Sequence, residues 1–293
     1  MERPCLTPGA LVLRTDTRRI QIGQPPVIIM TDSPGLLAAL QSLDGSRTWQ
    51  GAERQISSLA PDINPTQLLK SLAAHGAICD ARDWDLPDSR LRSAAIALGQ
   101  QADERLASRL QWTVSITSDG PSHELAKHLA SVLRASGVLI SKPDVPGPHW
   151  RILVCDGEPS RSALALLHEQ GQRFSVLSVL PQSARWGPAV DPNLAPCWKC
   201  FDAYMTQRNK YWEVLCTQFG TPAAQPAIDT LTAGQKCQLV GQVAEDICLL
   251  LDTGSSWATG AVLHFFCEQP REEFGFHPNC DCSLLGPSQR HLS

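Results

Sequence analysis

The sequence predicts an α/β protein in two parts, and three observations carry that prediction. Residues up to Asp80 read as three short strands followed by three helices. From Trp112 onward, apolar strand-like runs alternate with helical ones, the pattern of a parallel sheet flanked by helices. Two close cysteine pairs, Cys197 with Cys200 and Cys280 with Cys282, stand in position to tie the second part together.

The first part begins with "ALVLR" (Ala10–Arg14) and "RIQIG" (Arg19–Gly23), two β-rich runs separated by the polar turn "TDTR". "VIIMT" (Val27–Thr31) follows after Gly23 and Pro25-Pro26. Tight connections between three short strands predict a small antiparallel sheet. Ser33 is then expected to cap a helix with Pro34 at its first position. Leu36, Leu37, Leu40 and Leu43 recur at helical spacing up to Gly45. A second helix is expected over Thr48–Leu59, stopped by Pro61. A third starts at Asn64-Pro65, places Leu68, Leu69 and Leu72 on one face and ends near Gly76. Strands first and helices second is a winged-helix-like composition.

"DARDWDLPDSR" (Asp80–Arg90) reads as a linker, and the stretch after it as a helix leading into the second part. There "WTVSIT" (Trp112–Thr117), "RILVCD" (Arg151–Asp156) and "RFSVLSVL" (Arg173–Leu180) are the expected strands. Between them lie a helix capped by Ser122, carrying Leu125, Leu129, Val132 and Leu133 up to Gly137, and a helix over Ser160–Gly171. Leu239, Val240, Val243, Ala244, Ile247, Leu250 and Leu251 trace one helix face, "AVLHFFCE" (Ala261–Glu268) is a late strand, and "GPSQRHLS" is expected to fray. The boundaries read as 1–85 for the first unit, 86–108 for a linker and helix, and 109–293 for the second.

Composition narrows the function classes. Hydrophobic residues make up 43% and charged residues 18% of the 293, a globular balance. The net charge of −4 disfavours nucleic acid and anionic membrane as partners. With no signal-peptide pattern and no long apolar run, the expectation is a soluble cytoplasmic protein. Of eleven cysteines, Cys5, Cys79, Cys155, Cys216, Cys237, Cys248 and Cys267 are expected to be small buried hydrophobes rather than a disulfide framework.

The remaining four are different. Thiolates bind zinc in a tetrahedron, and two close pairs on two turns supply its corners. Cys197-x-x-Cys200 has the usual knuckle spacing, and Cys280-x-Cys282 is tighter. Four protein ligands leave no position for water or substrate, so the metal would be structural. A thioredoxin-like redox pair is the rival reading of Cys197 and Cys200. His277 is a spare ligand candidate, better placed beside the site than in it.

A nucleotide-binding α/β unit carries its glycine-rich turn after the first strand, where backbone N–H groups must approach phosphate. Here that place reads "SITSDGPSHELA", where only Gly120 matches and Pro121 removes a donor. The sequence shows no other nucleophile or metal-hydrolase motif. Asp156 ends a strand where α/β active sites often lie, but a capping or turn role suits "DGEPS" better.

"WGPAVDPNLAPCWKCFD" resembles a segment of the E1-like, ThiF-related proteins of azole-forming peptide pathways, and "FHPNCDC" is similar to the same group's C-terminal His-Pro-x-Cys-x-Cys. "LRTDTRRIQIG", "LQSLDGSRTWQGA" and "LLKSLAAHGAICDA" resemble its leader-peptide-binding module. The resemblance implies a winged-helix-like recognition domain followed by a degenerate Rossmann-like E1 domain with a four-cysteine zinc site. It implies that the leader of a ribosomally made precursor adds as a strand to the small sheet and packs on the third helix. By position, the edge is Val27, Ile28, Ile29, Met30 and Thr31, with Leu68 and Leu72 on the helix.

The implied partner is a YcaO-type cyclodehydratase, which uses ATP to convert Cys, Ser or Thr of the core peptide into azolines. Active relatives adenylate a carboxylate through the glycine loop. Its loss here, with the short stretch from Gly137 to Trp150, points to a non-catalytic scaffold with structural zinc and no ATP. The rivals are an active adenylating E1-like enzyme and a winged-helix DNA-binding regulator with zinc. One Lys and no Arg on the third helix speak against the last. A homodimer is compatible with the sequence.

Overall fold

The structure is a computed structural model that describes residues 1–16, 18–23, 27–84, 102–118, 120–141, 148–192, 195–221, 230–268, 270–280 and 282. Most of the expected linker and the tail "GPSQRHLS" lie outside the described residues. The chain divides into two compact units, Met1–Asp103 and Glu104–Ser293.

In the first unit, β1 (Pro4–Leu6) pairs antiparallel with β5 (Ile78–Asp80), a two-stranded ribbon absent from the sequence-based reading. β2 (Val12–Asp16), β3 (Arg19–Ile22) and β4 (Ile28–Thr31) form the expected antiparallel sheet in that order. Its inner face carries Ile20 and Ile22, both wholly buried. They pack with Leu36, Leu40, Ile56, Leu69 and Leu72 from α1 (Leu36–Gln41), α2 (Trp49–Leu59) and α3 (Pro65–Ala74). Truncating one such leucine to alanine costs about 2–5 kcal/mol.

Two caps are formed, Asn64 as expected and Thr48 where the sequence suggests the first helical residue. Thr48 accepts from Gly51 N–H at 3.2 Å, and Asn64 accepts from Gln67 N–H at 3.1 Å, with Pro65 opening α3. The cap at Ser33 is corrected. α1 starts at Leu36, and Gly35 at φ +77 occupies the cap position. The end of α2 passes so close that a Cβ on Gly35 would lie 1.6 Å from Leu59 O, so only glycine fits.

In the second unit, one seven-stranded sheet runs in the order β12-β11-β10-β9-β8-β6-β7. Its strands are β6 (Thr113–Ser118), β7 (Leu139–Ile140), β8 (His149–Asp156), β9 (Phe174–Leu180), β10 (Ser183–Val190), β11 (Ala261–Phe265) and β12 (Arg271–Glu273). β7, β6, β8 and β9 are parallel, as the alternation predicts. β10, β11 and β12 add antiparallel, which makes the sheet mixed. Gly187-Pro188 is the middle of β10, a strand the sequence-based reading does not include. There the register shifts between Trp186 and Ala189, and Gly187 takes φ +97.

Alternation along the strands splits the core between two faces. On one face Trp150, Ile152 and Val154 of β8 pack with α5 (His123–Ala135) and α9 (Ala233–Thr253). On the other, Phe174 and Val176 of β9 pack with α6 (Arg161–Glu169), α7 (Trp198–Arg208), Trp212 of the short α8 (Trp212–Cys216) and the four paired cysteines. α4 (Ala102–Leu110) falls at the division between the units. Its Arg109 is tied to the end of α9 by a buried ion pair, Nε to Asp252 Oδ1 at 2.7 Å. Among the described residues, no helix is long and apolar enough to cross a membrane.

Candidate functional sites

The clearest cluster is the cysteine tetrad. Cys197 is the residue before α7, and Cys200 lies in the first turn of that helix. Cys280 and Cys282 come from the turn after β12, where Cys280 N–H donates to His277 O at 2.9 Å. The Sγ atoms of Cys197 and Cys200 are 3.9 Å apart, those of Cys197 and Cys280 3.4 Å, and those of Cys200 and Cys282 3.3 Å. All four lie within 4.8 Å of one another and all are buried. A tetrahedron with Zn–S of about 2.3 Å has S···S edges of about 3.8 Å, so the donor set fits a closed four-thiolate zinc site.

Electrostatics agree with that fit. Cys200 is pulled down to about 5 by hydrogen bonds from Cys197 and from His277 N–H, the latter at 3.3 Å. Cys197 is driven far up by its bond to Cys200 and by burial, and Cys282 up to about 12 by burial first. Cys197 and Cys282 therefore resist ionising alone, and a divalent cation is what would let them. His277 stands beside the cluster rather than in it. Its Nδ1 accepts from Asn279 N–H at 3.2 Å, and its Nε2 meets the Gln207 amide at 2.9 Å.

Around the tetrad the charged groups are paired, while the buried Trp198 Nε1 and Arg185 Nε have no hydrogen-bond partner among the described residues. Arg161 stacks on Trp198, Trp212 and Phe219 and donates from Nε to Asp202 at 2.9 Å. Glu158 binds Arg185 and Arg161. Burial alone would raise the Glu158 carboxyl, but the two guanidiniums outweigh it and hold it below the usual range. Burial raises the Asp202 carboxyl.

The strand end where a phosphate loop would lie is also occupied. β6 and β8 are parallel neighbours; β6 ends at Ser118 opposite Val154, and β8 runs two residues further to Asp156. Ser122 makes no side-chain cap to its own helix. Its N–H donates to Asp156 Oδ2 at 3.0 Å and its hydroxyl to Asp156 Oδ1. The Asp156 side chain thus sits at the head of α5, a long-range contact rather than the local capping or turn role that "DGEPS" suggests.

The sheet edge in the first unit is the opposite case. Asp32 N–H donates to Arg18 O, which puts Ile20–Met30 and Ile22–Ile28 at hydrogen-bonded positions of the β3–β4 ladder. The backbone groups of Ile29 and Thr31 therefore point away from β3. Among the described residues no strand pairs with that side. Leu13, Gln21 and Ile29 share the outer face in register, and Val27 and Ile29 are about half exposed at 45% and 52%. Ile28, Met30 and Leu68 are half-buried against the core. Leu72, expected at the groove, is wholly buried and packs inside the unit. The helical period puts Leu68 and Leu72 on one face, but depth along that face comes only from the folded unit.

No family model matches the chain, and neither does any curated protein. Solved structures do match. The heterocyclase TruD is 15% identical at a TM-score of 0.69, covering 98% of this chain and 43% of its own. A heterocyclase in complex with substrate and cofactor is 14% identical at 0.66, covering 96% and 39%. E. coli MccB with MccA is 11% identical at 0.57, covering 97% and 100%. The resemblance drawn from the cysteine segments is thus met by structural neighbours of the same fold along nearly the whole chain. This chain spans about two fifths of the heterocyclase structures it matches.

Proposed function

We propose that this protein is a non-catalytic scaffold of azole-forming peptide biosynthesis. It binds the leader of a ribosomally made precursor through a winged-helix-like N-terminal unit and presents the core peptide to a YcaO-type cyclodehydratase. The observation that carries this reading is the edge of β4, where Ile29 and Thr31 turn their N–H and C=O groups outward. An extended leader segment docks there by main-chain hydrogen bonds, with Val27 and Ile29 flanking it on the outer face and Met30 on the inner.

The second unit is a Rossmann-like domain that keeps its architecture through a structural zinc held by Cys197, Cys200, Cys280 and Cys282. Bound zinc supplies the second unit with folding free energy, not chemistry. Asp156 supports the absence of nucleotide chemistry, because a carboxylate at the head of α5 repels phosphate. The fold shared with a heterocyclase agrees with the pathway.

The test is titration of a fluorescent leader peptide against the full chain, with ATP–pyrophosphate exchange measured in parallel. Saturable leader binding without exchange supports the scaffold. Exchange that depends on the precursor peptide replaces it with an adenylating enzyme.

A further inference from the structure

A second thiol pair lies outside the metal cage. β1 and β5 set Cys5 directly opposite Cys79, with the sulfurs 3.6 Å apart. Thr7 N–H donates to Ala77 O and Ala81 N–H to Arg3 O, so the register puts Cys5 and Cys79 at a hydrogen-bonded position of the ladder. There Cα atoms stand about 5.5 Å apart. Disulfides favour that same Cα separation. The cysteines are far apart in sequence, and the three-stranded sheet and all of α1, α2 and α3 lie between them.

We propose that Cys5 and Cys79 are an oxidant-sensitive pair that closes into a cross-strand disulfide and clamps the first unit shut at its base. The oxidant is a small-molecule disulfide of the glutathione class. Cys79 is the more exposed thiol and is reached first. Its thiolate attacks one sulfur of the oxidant, a mixed disulfide forms, and one small thiol leaves. The Cys5 sulfur then attacks the Cys79 sulfur and expels the second small thiol. The protein gives up two electrons and two protons, and the oxidant takes both.

Burial comes first among the causes that push the Cys5 thiol up to about 12, followed by its hydrogen bond to Cys79 and the charges of Cys79, Asp80 and Asp83. The mixed disulfide removes both Cys79 contributions, so the second step is eased by the first. Closing a loop of this length narrows the unfolded ensemble and raises the melting midpoint of the first unit by on the order of 10 °C. Cytosolic disulfides of this kind are transient and redox-sensing rather than permanent.

The full chain is incubated with oxidised glutathione, digested without reductant and mapped by mass spectrometry. The expected result is a peptide pair joined through Cys5 and Cys79, two hydrogens lighter than the reduced peptides and released by dithiothreitol. In Cys5→Ser, Cys79 should stop at the glutathione adduct. In Cys79→Ser, Cys5 should stay open to alkylation after unfolding. The exposed thiols of Cys237 and Cys267 report that the oxidant is active. If they react while wild-type Cys5 and Cys79 are both recovered as thiols, or if wild-type Cys79 ends as the adduct, the proposal is overturned.

Discussion

The two units treat their polar groups in opposite ways. On β4 of the first unit, the outward backbone groups of Ile29 and Thr31 have no strand to pair with among the described residues. In the second unit the charged groups are largely matched to one another, although Ser178 Oγ, Arg185 Nε and Trp198 Nε1 are buried without a hydrogen-bond partner among the described residues. Asp156 takes up the head of α5, Arg161 and Arg185 are bound by Asp202 and Glu158, and four thiols converge on one point. A ligand needs unsatisfied groups to bind. Under the proposed function, recognition belongs to the first unit and stability to the second, although the second has the architecture usually associated with chemistry.

The largest expected effect tests the closed side. Cys200→Ser removes one corner of the tetrad, and the second unit should lose its metal and more than about 4 kcal/mol of stability. Metal analysis and thermal melting measure this. Leader binding that survives in the variant sharpens the division of labour, whereas binding lost in step with the metal breaks it.

Glu158→Gln comes next, because it leaves two buried guanidiniums underpaired. About 3 kcal/mol should be lost at neutral pH. The folded carboxyl lies below its unfolded value, so its contribution is present above about pH 4.3 and fades as pH falls through the folded value. The wild type should lose stability on acidification more steeply than the variant, in denaturant melts compared from pH 7 down to 3.

Ile29→Pro tests the open side. The N–H it removes points away from β3, so the sheet should survive while leader affinity falls about tenfold to a hundredfold. Met30→Pro is the contrasting control, because its N–H lies in the β3–β4 ladder and the unit itself should unfold. An unchanged leader affinity in Ile29→Pro would remove β4 as the docking edge. The smallest effect is Asp156→Asn, expected to cost about 1–2 kcal/mol through weaker bonds to Ser122. Equilibrium dialysis with labelled ATP should still show no binding. Nucleotide binding gained in this variant would mean that the second unit is closed by one charge alone.

Much of this was legible before folding. The Pro61 stop, the Asn64 cap and the leucine spacing located α2 and α3 because stops, caps and periodicity act over a few residues. The cysteine pairs announced a four-thiol cluster that could hold a metal, because chelation demands close spacing. Other features depend on partners distant in sequence. β10 was hidden because "SARWGPAV" has a Gly-Pro in its middle and is a strand only by pairing with β9 and β11. Gly35 displaced Ser33 as the cap residue only because the end of α2 crosses there.

The sequence by itself determined the capped and periodic helices, the apolar strands and which four thiols can share a cation, since those follow from local propensity, spacing and donor chemistry. Tertiary structure alone decided which groups remain unsatisfied. Leu72 became core rather than groove, Asp156 closed the head of α5, Cys5 met Cys79, and β4 became an edge, because each depends on what the chain brings from far away to cover it.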